Sequence, residues 1–134
     1  MNTSGKITKK IDTKVLLSTL WIVVMINMLK ADILSLYIPG AAEEVAKTAG
    51  ETPITQLMLG GAIMMEISIV MIILSRVLKF RVNRWANIIT SLITIAFVWG
   101  GASPDPHYIF IAAVETICLL LIIWNAWRWS EQDA

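Results

Sequence analysis

Cysteine, histidine and charged residues are all scarce in this sequence. Cys118 and His107 are the single members of their types, which excludes an intramolecular disulfide and the ligand spacing of a zinc site. Charged residues make up 16% of the chain and the formal net charge is +1, which excludes the broad basic surface of a nucleic-acid-binding protein. We therefore predict no metal ligands and no nucleic-acid partner.

Sequence motifs for catalysis are missing as well. The chain has no nucleophile–base pair, no phosphate-binding loop and no haem motif, and its one histidine lies away from the acids of the apolar runs. No catalytic residue is predicted. An enzyme acting on lipids or isoprenoids stays an open alternative that no motif supports.

Long apolar runs occupy most of the chain. Hydrophobic residues make up 57% of its 134 residues, against roughly 45–50% in a soluble domain. About 20 apolar residues suffice for a helix to cross a bilayer. The sequence predicts a single transmembrane domain over residues 14–128, with spans at residues 14–37, 54–78, 83–100 and 106–127.

Proline and glycine mark the ends of these runs. Stops are expected at Pro39-Gly40 and Gly100-Gly101, and helix starts at Thr52-Pro53 and Asp105-Pro106, where a cap residue precedes a proline. In the longest loop, the segment AAEEVAKTA fits a short surface helix. Because the connections are short, we predict an all-α membrane protein, an antiparallel (up-down-up-down) four-transmembrane-helix bundle.

Basic residues are concentrated on one side of the predicted bundle. They occupy the N-terminal tail, residues 1–13, and the turn between the second and third spans. The residues of that turn are Arg76, Lys79, Arg81 and Arg84. The positive-inside rule then predicts that both termini, including the C-terminal tail of residues 129–134, lie in the cytoplasm. We expect the turn to set the topology and to contact lipid head groups.

Three carboxylic acids and two of the amides within the predicted spans are candidate site residues. At about 1.5 Å per residue, Asp32, Glu66 and Glu115 fall in the outer half of the bundle, with Asn27 about as deep as Glu66. A charged group inside a membrane is costly and is a functional candidate. Asn87 belongs to a polar stripe on the third span, which should face inward. We predict that these five residues bind a ligand or handle protons, with interhelical packing as the alternative for Asn87.

Small residues precede Glu66 on the second span. Gly60, Gly61 and Ala62 lie about one turn before the acid. They allow a neighbouring helix to approach closely, or they leave space for a ligand beside the acid.

Most of the transmembrane part resembles a known family. The stretch LMLGGAIMMEISIVMIILSRVL, followed by RVNRWANIITSLITIAFV, is similar to the second and third helices of DoxX-like small four-helix bacterial membrane proteins. The opening KVLLSTLWIVVMINMLKADIL and the closing VETICLLLIIWNAWRW resemble an uncharacterised branch of that group. The resemblance implies a location in the bacterial cytoplasmic (inner) membrane. Because some DoxX-like proteins are associated with quinone-linked systems, it also implies a quinone as a candidate cofactor.

Three functions stay open from the sequence. The leading hypothesis is an acid-lined intramembrane pocket for a small lipophilic or quinone-like ligand. The second is proton or small-cation transport by a homo-oligomer, since four helices enclose little volume. The third is an accessory or structural subunit of a membrane complex. The lipid bilayer is a partner in each.

Overall fold

The chain forms helices and no strands over the parts that the computed structural model describes, residues 11–101 and 103–131. This confirms the all-α prediction. Residues 1–10 of the predicted N-terminal tail and residues 132–134 of the predicted C-terminal tail lie outside the described residues. The described helices are α1 (Thr13–Ser35), α2 (Ala41–Ala49), α3 (Ile54–Val77), α4 (Phe80–Gly100) and α5 (Pro106–Arg128).

Three helices of the described part, α1, α3 and α5, are long and apolar enough to cross a membrane. Helix α4 has 21 residues, about 31 Å at the usual rise, but its composition is more polar. Its polar residues Asn83, Asn87, Ser91 and Thr94 are buried. Its exposed face carries large apolar residues such as Ile89, Leu92 and Ile93. The polarity of α4 is therefore turned toward the other helices.

The four long helices pack side by side. Helix α1 packs against α3 and α5, and α4 packs against α5 and α3. Ser18, near the start of α1, donates to the carbonyl of Ile72, near the end of α3 (2.8 Å). Ser35, at the end of α1, meets His107, at the start of α5 (3.1 Å). Helix α1 is therefore antiparallel to both neighbours.

The apolar core lies mainly between α1 and α5. Trp21 and Leu119, among its members, are fully buried. Helix α3 contributes much less, since its buried residues are Ser68, Met71 and Ser75. All three lie in the second half of the helix. The first half of α3 consequently runs beside the other helices with little packing against them.

The basic turn is shorter than predicted. Helix α4 begins at Phe80 rather than at residue 83, so that only Leu78 and Lys79 link it to α3, both in extended conformation. The Asn83 side chain closes this link, because its Nδ2 donates to the carbonyls of Ser75 (2.8 Å) and Leu78 (3.2 Å). We call this end of the molecule the basic end. The end that carries α2 and the α4–α5 loop is called the acidic end.

Several helix boundaries correct or confirm the sequence predictions. Helix α2 forms over AAEEVAKTA as predicted, behind Gly40, whose positive φ of 80° favours glycine. Pro53 rather than Thr52 is the N-cap of α3. Asp105 is the N-cap of α5, but its carboxylate accepts from the Ser103 hydroxyl (2.6 Å) instead of from the helix.

Trp129 does not behave as the first residue of a solvated tail. It is buried and packs edge to face on Phe80, with ring centroids 5.0 Å apart. The packed part of the chain therefore extends two residues beyond the predicted fourth span. The cause is an aromatic contact with the start of α4, which hydropathy along the chain does not reveal.

Candidate functional site

Two contacts near the acidic end fix how the helices are aligned. The Ser35–His107 contact joins the end of α1 to the start of α5. The Tyr108 hydroxyl donates to the carbonyl of Val98 (3.0 Å), which joins α5 to the end of α4. Because the joined helices are antiparallel, equal numbers of residues counted from each contact reach similar depths, to within about a turn.

Counting from these contacts places three polar residues in one layer. Glu115 is seven residues beyond Tyr108, and Ser91 is seven residues before Val98. Glu115 is also eight residues beyond His107, and Asn27 is eight residues before Ser35. Each step corresponds to about 10–12 Å along a helix. Asn27, Ser91 and Glu115 therefore lie at similar depth on three different helices.

Helix α3 adds Ser68 to this layer. Its hydroxyl faces the sulfur of Met28 at 3.8 Å, and Met28 is the neighbour of Asn27. All four residues are buried, with exposed fractions of 8% for Asn27, 0% for Ser68 and Ser91, and 3% for Glu115. We call these four residues, one from each long helix, the polar layer.

The polar layer is poorly supplied with hydrogen bonds. The Ser91 hydroxyl has no partner among the described residues, and no hydrogen bond to Glu115 is formed within the described part. Asn27 donates only to the Val23 carbonyl of its own helix (2.9 Å). Buried polar groups are normally paired, and each unpaired one costs roughly 1–3 kcal/mol. The layer thus retains binding capacity that the protein itself does not use.

Charged groups surround Glu115 on the side of the acidic end. Asp32 and Lys30 lie close enough to Glu115 for their charges to interact, and Tyr108 is within the same range of both acids. Asp32 and Lys30 are exposed, whereas Glu115 is buried. The structure therefore brings together two of the three predicted acids, one deep and one nearer the surface.

Glu66 is not brought to this site. Its side chain is exposed, while Ser68, two residues later, is buried. Two residues correspond to about 200° around a helix, so the acid points away from the polar layer although its depth is similar. Sequence periodicity on α3 could not reveal this orientation, because nearly every position of that helix is apolar.

The two glycines in the first half of α3 have no neighbouring atoms packed on them. A Cβ atom placed on Gly60 or Gly61 would meet nothing within 4 Å. Gly61 precedes Ser68 by about two turns and so shares its face, which farther along packs against Met28. Gly61 therefore lies on the face of α3 that is turned toward α1, on the other side of the helix from Glu66, and no neighbouring helix approaches it closely.

Asn87 belongs to a different, saturated network. Its Oδ1 accepts from Trp21 Nε1 (2.8 Å) and from the Ser75 hydroxyl (3.2 Å). Its Nδ2 donates to the carbonyl of Asn83 (2.9 Å) and to Asn83 Oδ1 (2.7 Å). This network joins α1, α3 and α4 near the basic end. Its geometry supports the packing alternative for Asn87 and leaves little capacity for a ligand.

The basic residues of the turn have unequal environments. Arg76 Nε donates to the Ser18 hydroxyl (3.1 Å), which ties α3 to α1. Arg84 Nη2 donates to the carbonyl of Trp127 (3.1 Å), at the end of α5. Lys79 and Arg81 are exposed. Two of the four residues therefore contribute interhelical hydrogen bonds in addition to positive charge.

Sequence reasoning missed Ser68 as a member of the polar layer and Trp21 as a hydrogen-bond donor inside the protein. Ser68 stands alone among apolar residues, and its hydroxyl gives no periodic signal. Trp21 lies within an apolar span, where its indole N–H needs an acceptor inside the protein, and this could have been expected from the sequence. The described residues contain no cluster of three or more histidine, cysteine or acidic side chains able to hold a metal ion.

Comparison with known proteins identifies the family of this chain. Residues 6–134 match a family described as "Family of unknown function (DUF6326)". The match covers nearly the whole sequence, and the chain therefore belongs to this family. Comparisons with curated proteins and with solved structures gave no match.

Proposed function

We propose that this DUF6326 member is an integral membrane protein that binds the polar end of a small lipophilic ligand at the polar layer. The observation that carries the proposal is the shared depth of Glu115 and Ser91, both buried and both without a hydrogen-bond partner among the described residues. A hydroxyl and a carboxyl group together can both donate to and accept from a ligand. A quinone-like molecule or a lipophilic alcohol has matching chemistry.

The membrane placement in this proposal has four spans. Helices α1, α3 and α5 meet the requirements of length and apolarity, and α4 has the length together with an apolar exposed face. The arginines and lysine of the basic end favour a cytoplasmic position for that end. In this orientation the acidic end faces outward, and both termini are cytoplasmic. The resemblance to DoxX-like proteins adds a bacterial inner membrane and a quinone by analogy only.

The proposed ligand enters beside α3 at the acidic end. The sparse packing of the first half of α3 and the free space at Gly60 and Gly61 support this route. Asp32 and Lys30 are exposed near the same end and are placed to attract or orient a polar head group. Intramembrane pockets of this kind combine an apolar wall with a few polar groups that fix orientation.

Native mass spectrometry of the detergent-purified protein tests the proposal. We expect the wild type to retain a small molecule, or added decylubiquinone if nothing copurifies, and Glu115→Gln and Ser91→Ala to lose most of it. Glu66→Gln is the matched control, because it makes the same chemical change at similar depth on the exposed side of α3. Equal retention by wild type and by Glu115→Gln would contradict a ligand site at the polar layer.

A second candidate function, assembly with another chain in the membrane, is favoured by the exposure of Glu66. An acid at this depth on a lipid-facing surface costs roughly 2.5–3.5 kcal/mol on insertion scales, and a polar group of a second chain would offset that cost. The mass of the purified Glu66→Leu particle shows whether the protein assembles with another chain through Glu66. A shift of the purified particle to a smaller mass supports assembly through Glu66, and an unchanged mass contradicts it.

A further inference from the structure

A groove on the exposed face of α5 runs toward the basic end. It is shallow and wide open to the outside of the molecule, because all of its lining residues belong to α5 itself. Its lining residues are Ile117, Leu120, Leu121, Ile123, Trp124 and Trp127. The lining is almost entirely apolar, so the groove suits a hydrocarbon chain better than a polar solute.

Each of the two tryptophans in the groove carries an arginine on its ring. The guanidinium carbon of Arg84 lies 5.2 Å from the ring centroid of Trp127, and that of Arg128 lies 5.3 Å from the ring of Trp124. Arg84 is also 5.6 Å from the ring of Trp85. Stacking on aromatic faces holds a guanidinium group in place while it keeps its charge. Two fixed positive charges therefore stand at one end of the groove.

Neither arginine is neutralised within the described residues, where the salt bridge formed is that of Lys47 with Glu44. Arg84 uses Nη2 to bond the Trp127 carbonyl, and the exposed Arg128 guanidinium makes no hydrogen bond among those residues. Guanidinium groups form forked hydrogen bonds with phosphate oxygens. The end of the groove thus offers both charge and unused donors to an anion.

We propose that this groove and the Arg84–Arg128 pair bind one anionic phospholipid. The phosphate of the head group contacts the two arginines, and an acyl chain lies in the groove. From residue 127 to residue 117 the groove follows about 15 Å of helix, which is half of the roughly 30 Å hydrocarbon core and therefore one leaflet. The site rests on the membrane placement proposed above and is independent of the polar layer.

The charge pattern selects the anionic head group over a zwitterionic one. An arginine near a membrane surface contributes enough attraction for roughly a fivefold change in the affinity for anionic lipid. Two arginines then give roughly a thirtyfold preference. Arg81 provides a matched control, since it belongs to the same basic end but is exposed and forms no ring contact within the described part.

Native mass spectrometry with defined lipids tests the site. The purified full chain is exchanged into an equimolar mixture of phosphatidylglycerol and phosphatidylcholine with identical acyl chains, and the bound lipids are counted. We expect preferential retention of one phosphatidylglycerol by the wild type. Arg128→Gln and Arg84→Gln should each lower the preference roughly fivefold, and Arg81→Gln should leave it unchanged.

Three results overturn the proposal. Equal retention of both lipids by the wild type removes the head-group preference. An equal loss of the preference for phosphatidylglycerol in Arg81→Gln and Arg128→Gln indicates attraction by diffuse surface charge instead of binding at a site. Retention of the lipid preference in Arg128→Gln shows that Arg128 is not part of a binding site. This variant is the clearest test, because Arg128 makes no interhelical hydrogen bond within the described residues and its loss should leave the packing intact. Recovery of the chain in the soluble fraction without detergent would instead overturn the membrane placement.

Discussion

Ser91 of α4 and Glu115 of α5 lie at similar depth, since each is seven residues from the contact between the Tyr108 hydroxyl and the Val98 carbonyl. Both side chains are buried, and neither has a hydrogen-bond partner among the described residues. A protein selected for stability alone would replace such a pair with apolar residues, since unpaired buried polar groups cost free energy. Their presence on facing elements is the reason to expect a function at this level.

Replacing Glu115 with leucine should stabilise the ligand-free protein and abolish ligand retention. The leucine replaces a buried acid that makes no hydrogen bond within the described residues, and so removes a desolvation cost of roughly 1–3 kcal/mol. The midpoint of thermal unfolding in detergent measures the first effect, and native mass spectrometry measures the second. Glu66→Leu is the control for retention. A destabilised Glu115→Leu protein would show that Glu115 holds the helices together through contacts of its own.

Replacing Asn87 with leucine should destabilise the protein without any direct effect on a ligand. The change leaves Trp21 Nε1 and the Ser75 hydroxyl without their shared acceptor, and each unpaired buried group costs about 1–3 kcal/mol. Equilibrium unfolding in mixed micelles gives the free energy. Asn125→Leu is the control, because the Asn125 amide donates only to Leu121 of its own helix. Equal stability of the two variants would mean that the Asn87 network contributes little.

The sequence was sufficient to predict helical content and the interior face of α4. The predicted stripe of Asn83, Asn87, Thr90, Ser91 and Thr94 repeats at helical spacing among apolar residues. All of them are buried except Thr90, which is half-buried. Lipid offers no partners to such groups, so their orientation follows from solvation alone. The sequence predicts the start of α4 three residues too late, because Asn83 closes the turn through its side chain instead of beginning the helix.

The orientation of α3 and the composition of the candidate site were beyond sequence reasoning. An apolar helix has no preferred face in lipid until its neighbours are known, so Glu66 was grouped with Asp32 and Glu115 by depth alone. Its exposure follows from packing through Ser68, Met71 and Ser75. Those small and flexible side chains give no periodic contrast against the isoleucines and methionines around them.

Filling the space beside α3 should block ligand retention while the protein stays folded. A side chain at Gly61 has room, because a Cβ there would meet nothing within 4 Å, so Gly61→Phe should fold and occupy the proposed entrance. Ala62→Phe is the control, since it adds the same ring to an exposed position of the same helix. Both variants should unfold at temperatures close to that of the wild type. Undiminished retention by Gly61→Phe would place the entrance elsewhere.

The accessibility of single cysteines should show that α4 crosses the membrane. Helix α4 is the critical case because its buried polar stripe lowers its apolar character, while Lys79 and Ser103 flank its two ends. Starting from Cys118→Ala, which removes the single cysteine, we expect Ser103→Cys to react with a membrane-impermeant maleimide in intact cells. Lys79→Cys should react only after the cells are made permeable, since the basic end is expected in the cytoplasm. Labelling of both positions from the same side would mean that α4 does not span, and labelling in the reverse order would mean that the orientation is inverted.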